Sequence, residues 1–490
     1  MQWISKNRWL LAVMLFFTAV YAVIAIPNHY FFRTSALDLG LYTNALYDYI
    51  RFQWNDSTLF MNVPQNLLAD HFDLYLVIFS PLSLLSGTYT LLIVQVIAIV
   101  LGGLGIYRYF RLISGKEWLP LLAMIHFYLF FGIFSAVSFD YHSSVVAAMV
   151  LPWFFYYFRK RKYGPASALV LFMLISKENT ALWLLFVFLG LLFEYFRDRK
   201  AAGYLVIYSS FSLAWFLLIV FYVMPSLSAE GTFPHFRYSV LGNEPVSFIR
   251  NFFNDPLLSL SLLFTNHTPF EYGDYVKIEL HLFVLLSGLY LLVFRPQYLF
   301  MLIPVYFQKM YHDNVWVWSV AAHYSIEFAP ILTIGAFSVI NSFRKPLHGK
   351  ILAMAAVVVS LFVTVRLMDN TVIFYDKSRI RIYSSSHYER DYDTRAVRNA
   401  LKLIPVDAAV SAQSGFLPHL SLRDKIYLFP IVKDAEYIVI SEKENTYPLD
   451  REEYYVTVKD ILTTPGLEII ESFDGFFLVK REQAHYQLHP

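Results

Sequence analysis

The sequence predicts an α-helical polytopic membrane protein of about eleven spans, with a C-terminal α/β domain outside the bilayer. Three observations predict it. Of the 490 residues, 57% are hydrophobic and only 16% charged, a ratio that a water-facing surface does not tolerate. Apolar runs of near-membrane length recur along the first three quarters of the chain. Basic clusters fall at every second boundary between those runs, the signature of positively charged turns held on the cytoplasmic side.

The first run, "WLLAVMLFFTAVYAVIAIP" (9–27), resembles a signal peptide, but no clean small-residue cleavage site follows and similar runs come later, so it reads as a retained span. Lys6 and Arg8 place its start on the cytoplasmic side. Further spans are predicted at about 89–107, 118–137, 143–158, 164–176, 180–195, 202–225, 280–294, 297–311, 326–341 and 350–368. Several are short and must extend, tilt or break. The basic clusters are Arg108, Arg111 and Lys116; "RKRK" 159–162; "RDRK" 197–200; Arg295; and "FRKPLHGK" 343–350. They put all five turns with the N-terminus, in a plasma or inner membrane, and the C-terminus outside. "FDLYLVIFSPLSLL" (72–85) is apolar but carries Asp73 and Pro81, and a full crossing would flip every later cluster. It therefore reads as a helix at the outer interface or dipping partway.

Residues 1–368 thus form a transmembrane domain with a long first outer loop, 28–88, and another outer loop, 226–279. Residues 369–490 form a soluble domain: strands in "AAVSAQ", "KIYLFP" and "EYIVIS", an amphipathic helix in "YYVTVKDILTT", and a hairpin turning at Asp474-Gly475. No Gly-rich fingerprint follows its first strand, so no nucleotide site is expected there. The 46 Phe, 36 Tyr and 9 Trp suit lipid contact and two interfacial belts. Absence of Cys excludes disulfides, thiolate chemistry and Cys-based metal sites, and a net charge of +2 gives no reason to expect nucleic acid.

The candidate functional residues lie in the outer loops. They are Asp38 and Asp48, "ADHFD" 69–73, "FDYHSS" 139–144, "SKEN" 176–179, Arg237 and the histidines of 226–279, "YHDN" 311–314, and "HYSIEF" 323–328. Ionisable groups at membrane depth are costly unless they face protein or a watery cavity, so one outward-opening cavity is expected. Asp38 suits a general base toward an acceptor hydroxyl. Asp70 with His71, and Asp140 with His142, could bind a divalent cation or grip a phosphate. Lys177 suits a lipid-linked phosphate, with Glu178 holding it when the site is empty, and Arg237 is a second phosphate ligand. His323 and Glu327 are expected to share a helix face at i,i+4. Each group also has a structural alternative: Asp38 as a helix cap, the Asp–His pairs as interhelical hydrogen bonds, Lys177–Glu178 as an ion pair. His235, His267 and His312 read as ordinary loop histidines.

"LDLGLYTNALYD" (37–48), "LADHFDLYLVIFSPL" (68–82), "FDYHSSVVAAMVLPW" (139–153), "SKENTALWL" (176–184), "HYSIEFAPIL" (323–332) and "AAVSAQSGFLPHLSLRDKIYLFP" (408–430) resemble the DUF2079 family of prokaryotic polytopic membrane proteins over nearly the whole chain. The commoner third motif of that family is Asp-Phe-His-Pro-Glu; Asp140-Tyr141-His142-Ser143-Ser144 lacks the Glu. The family in turn resembles the GT-C superfamily of integral membrane glycosyltransferases. That resemblance implies a GT-C-like fold and transfer of a hexose or pentose from a polyprenyl-phosphate-type donor, as in cell-envelope assembly. The acceptor would be an outer-face glycan, lipid or protein. Asp38 matches the first-loop catalytic carboxylate by position and Asp140 the second-loop acid. No cofactor is required by this reading, and a divalent cation held by Asp70, His71, Asp140 or His142 is left open. The competing readings are a lipid or solute transporter or flippase using the same cavity, and a non-catalytic membrane scaffold.

Overall fold

A computed structural model describes residues 7–60 and 64–482. Lys6 of the first basic cluster, and residues 483–490 of the C-terminal domain, lie outside them. The chain forms two compact units. One comprises the segment ending at Ala25, Leu68–Tyr75 and Leu92–Ile382; the other comprises Ile26–Leu67, Leu76–Leu91 and the chain from Tyr383 onward.

Every predicted span carries helix. Five helical stretches are long and apolar enough to cross a membrane: Arg8–Tyr30, Tyr75–Ile113, Glu178–Tyr195, Arg199–Leu227 and Pro346–Asp369. Leu119–Tyr128 and Phe131–Ser138 make a sixth when taken as one span, bent by 42°. Shorter helices occupy the remaining runs: Ser143–Arg159, Tyr163–Leu174, Val276–Leu286, Pro296–Met310 and Phe328–Ser342. Length and apolar composition alone thus support five or six crossings. The segment read as one interfacial helix at 72–85 is instead a series of short helical turns, Tyr75–Phe79, Ser80–Leu82 and Ser83–Ser86, interrupted at Pro81.

The broken span shows how the fold repairs a helix inside an apolar slab. The freed carbonyl of Leu129 accepts hydrogen bonds from Ser360 and Thr364 of helix Pro346–Asp369, at 3.2 and 2.5 Å. Hydroxyls of a neighbouring helix thereby replace the water that lipid cannot supply. Just past the break, Gly132 lies so close to the Ser325 backbone that a Cβ would sit 2.6 Å from its carbonyl oxygen.

The basic turns of the first unit meet one another in pairs. Arg161 pairs with Asp198 at 2.8 Å and Arg159 with Glu194 at 3.9 Å, joining "RKRK" to the "RDRK" turn. Lys116 donates to the carbonyls of Asn341 and Phe343, at 2.7 and 3.0 Å, beside the last basic cluster. The Asp198 side chain also caps helix Arg199–Leu218 by accepting from the Ala201 N–H.

In the second unit, a five-stranded sheet runs in the order β2-β1-β3-β5-β4, where β1 is Val410–Ala412, β2 Ile426–Leu428, β3 Tyr437–Ser441, β4 Leu467–Phe473 and β5 Phe476–Arg481. The first three are parallel, and β4–β5 is the predicted hairpin, turning through Asp474 and Gly475 at positive φ. Residues 28–67 and 76–88 of the first long loop belong to this same unit, and 68–75 to the first. Ala36 N–H donates to Ser414, Asn44 to the carbonyls of Ser421 and Arg423, and Arg33 to those of Ser386, His387 and Glu389. These loop segments and the chain from Tyr383 onward thus make up the second unit.

Candidate functional site

Four ionisable side chains from three separated loops of the first unit converge. His71 Nδ1 lies 3.2 Å from Glu178 Oε1, and the second Glu178 oxygen accepts the Phe72 N–H at 3.2 Å. His235 Nε2 lies 3.2 Å from Asp70 Oδ1 and 2.7 Å from the Asp70 carbonyl. The two imidazoles stack, with centroids 4.3 Å apart and planes 16° from parallel. His71 Nε2 faces Asp70 Oδ2 at 4.0 Å. Burial alone would raise the Asp70 carboxyl, but His71, His235 and the Lys177 ammonium outweigh it and hold it below the ordinary carboxylate range. Burial, with help from Lys177, lowers His71. The neighbouring Asp73 is fully enclosed, and burial pushes it up to about 7.

Glu178 opens the 18-residue helix Glu178–Tyr195, whose other end meets the paired basic turns. The cluster and the basic turns therefore stand about 27 Å apart along that helix. Lys177, at the position preceding the helix, is half-buried. The Glu178 carboxylate is taken by His71 and Phe72, and the Lys177 charge acts on both Glu178 and Asp70, lowering each.

The second predicted pair is separate. Asp140 is completely buried, and its carboxylate accepts from Arg379 Nη2 at 3.3 Å, while the Arg379 guanidinium lies over Phe139. A buried carboxylate set against an arginine is a charge-paired group. His142 N–H donates to Gln95 Oε1 at 2.9 Å, and the ring stacks on His323 with centroids 3.4 Å apart. Burial drives His323 well below the ordinary histidine range. His323 and Glu327 do not share a helix face: residues 321–327 are turns, and helix Phe328–Ser342 starts after them. Arg237 is exposed; its carbonyl accepts from the Asp313 N–H. Of the four residues expected to offer metal ligands, only Asp70 and His71 stand together in a group of three or more metal-ligating side chains among the described residues, and its third member is His235.

Asp38 belongs to the second unit. It sits in a one-turn π-helical segment, Ala36–Gly40, and accepts from the Ser35 hydroxyl at 2.7 Å. The residue is half-buried. Wide turns of this kind cluster at functional positions.

A profile of the family described as "Predicted membrane protein (DUF2079)" matches residues 28–454. The chain belongs to that family. It is accordingly a multi-pass membrane protein. No curated protein matches it. Among solved structures, it is similar to the arabinofuranosyltransferase AftD from Mycobacteria at 12% identity and a TM-score of 0.49, covering 97% of this chain and 40% of that one. It is also similar to the archaeal oligosaccharyltransferase AglB from Archaeoglobus fulgidus, in a complex with an inhibitory peptide and a dolichol-phosphate. That match has 12% identity and a TM-score of 0.40, with 99% and 76% covered.

Three participants in this DUF2079 chain escaped the sequence reading. His235 was read as an ordinary loop residue; the signal was its place in "TFPHFRY", a stiff Pro-aromatic setting that fixes an imidazole. Arg379 gave no signal, because its partner lies 239 positions away. Lys309 is buried inside a helical run, and its ammonium donates to the Tyr324 carbonyl at 2.9 Å; an ionisable group within an apolar run was the clue.

Proposed function

We propose that this protein transfers a sugar from a polyprenyl-phosphate-type lipid donor to a hydroxyl acceptor on the extracytoplasmic face of the membrane. In this reading the paired basic turns face the cytosol and the Asp70–His71–His235–Glu178 cluster faces outward. Asp38 takes the acceptor proton as the acceptor oxygen bonds to the anomeric carbon. The bond from that carbon to the donor phosphate breaks, and its electron pair leaves on the phosphate. A phosphate is stable as an anion, so no acid is needed to protonate it.

The observation that carries the reading is Asp38 itself. It is a half-buried acid in a π turn, accepting from the Ser35 hydroxyl, at the place in the first loop where the GT-C resemblance puts the catalytic acid. The cluster supports it, since charged and imidazole groups beside membrane helices persist where function requires them.

The test uses the purified protein in lipid nanodiscs with a panel of polyprenyl-phosphate sugars and a mixed acceptor fraction. Wild type should form a glycosylated product and release the lipid phosphate. Asp38→Asn should lower the rate at least about a hundredfold, the scale of a lost general base, with an unchanged elution profile. Near-normal transfer by that variant removes Asp38 from the role. Lipid or solute flux in vesicles without transfer would replace the enzyme by a transporter.

A further inference from the structure

We infer that Asp70, His71 and His235 form a binding site for one divalent transition-metal ion such as Zn²⁺ or Mn²⁺. The ligand atoms would be the Asp70 carboxylate and Nε2 of each histidine. These three donors lie within 4.8 Å of one another. A tetrahedral ion with bonds near 2.1 Å holds its donors about 3.4 Å apart, so closure needs small side-chain rotations and no backbone rearrangement.

Four features single out a cation rather than a phosphate. The first is charge: the carboxylates of Asp70 and Glu178 face the imidazoles, so an anion entering the cluster would meet two carboxylates. The second is the outer support. Glu178 Oε1 accepts from His71 Nδ1 at 3.2 Å, which fixes the tautomer that leaves the Nε2 lone pair directed at Asp70. Carboxylate–histidine–metal arrays are built this way. The third is the parallel stacking of the two rings at 4.3 Å, which brings both Nε2 atoms to the same carboxylate. His235 Nε2 now faces the Asp70 carbonyl at 2.7 Å and would exchange that contact for the ion, moving its proton to Nδ1. The fourth is access: the three side chains are between 18% and 30% exposed, so an ion can enter and keep an open coordination position. With two nitrogens, one oxygen and no sulfur, the set favours borderline first-row ions over Mg²⁺ or Ca²⁺. That the site binds an ion does not rest on the transferase reading.

The full-length protein, purified in the presence of chelator and then freed of it, is titrated with Co²⁺ and followed by its visible d–d absorption. Zn²⁺ is titrated calorimetrically and bound metal is counted by elemental mass spectrometry. Wild type should bind one ion per chain. Asp70→Asn and His235→Gln should each weaken binding by more than tenfold, and Glu178→Gln by about tenfold through loss of the outer support. Elution volume and melting temperature report folding of each variant. Asp38→Asn should bind the ion as wild type does. No ion in the wild type, or wild-type affinity in correctly folded Asp70→Asn and His235→Gln, overturns the site whatever the transfer assay gives. Ion binding without sugar transfer leaves the site standing and ends the transferase reading instead.

Discussion

Asp140 and Asp70 are both acids that precede a histidine at or near the next position, and the sequence treated them alike. The structure separates them by what meets each carboxylate. Asp70 keeps partial exposure and two imidazoles, whereas Asp140 has none and an arginine. Removing one member of a buried ion pair strands the other charge, so Arg379→Met should cost about 3 kcal/mol. Asp140→Asn combined with Arg379→Met should recover most of that loss. Thermal unfolding of the three proteins in one detergent measures it, and equal melting temperatures for wild type and Arg379→Met would show that the pair holds nothing. At this scale the sequence exposes residue types but not partners. Asp38, Asp70, His71, Lys177 and Glu178 were visible because each stands beside a membrane-length run. Arg379 was not, since pairing across 239 positions is decided by tertiary structure alone.

The elements were more legible than the residues, because a period of hydrophobicity is local. The strands at 410–412, 426–428 and 437–441, and the hairpin at Asp474-Gly475, fall where β-branched runs and a turn dipeptide put them. The bend at 129–130 was hidden, since "LLAMIHFYLFFGIFSAVS" contains no proline beyond its first turn and reads as one uninterrupted helix. The break is stabilised by hydroxyls from another helix, which no local pattern reveals. Gly132 is the one local trace. A methyl group there would meet the Ser325 carbonyl, which is backbone and cannot rotate away. Gly132→Ala should therefore destabilise the first unit by about 1–3 kcal/mol, the range for overpacking. Gly164→Ala, in a glycine with open space around its position, is the control and should leave the melting temperature unchanged. A Gly132→Ala protein as stable as wild type would mean that the two segments do not approach so closely.

For the whole molecule, the quantity that matters is which chain segments face which compartment. Helix Glu178–Tyr195 has the cluster at its start, and its far end joins the turns of Arg159, Arg161 and Asp198. Pairing of the basic turns is a fact of the fold; assigning them to the cytosol follows from the energetic preference of lysine and arginine for that side. The absence of native cysteine makes the assignment directly measurable. Single cysteines placed at Lys162 and at Asn179 flank the same unit at opposite ends and are close neither to Asp70 nor to Asp140 in sequence. In intact cells, a membrane-impermeant maleimide should modify Asn179→Cys and spare Lys162→Cys until the membrane is permeabilised. A third cysteine at exposed Lys402, in the second unit, should label like Asn179→Cys. Labelling of Lys162→Cys and Asn179→Cys from the same side would break the helix's claim to span, and labelling with the sides exchanged would place the cluster in the cytosol. In that second case a donor on the extracytoplasmic face could not be its substrate, because the carboxylates and imidazoles would meet only what the cytosol supplies.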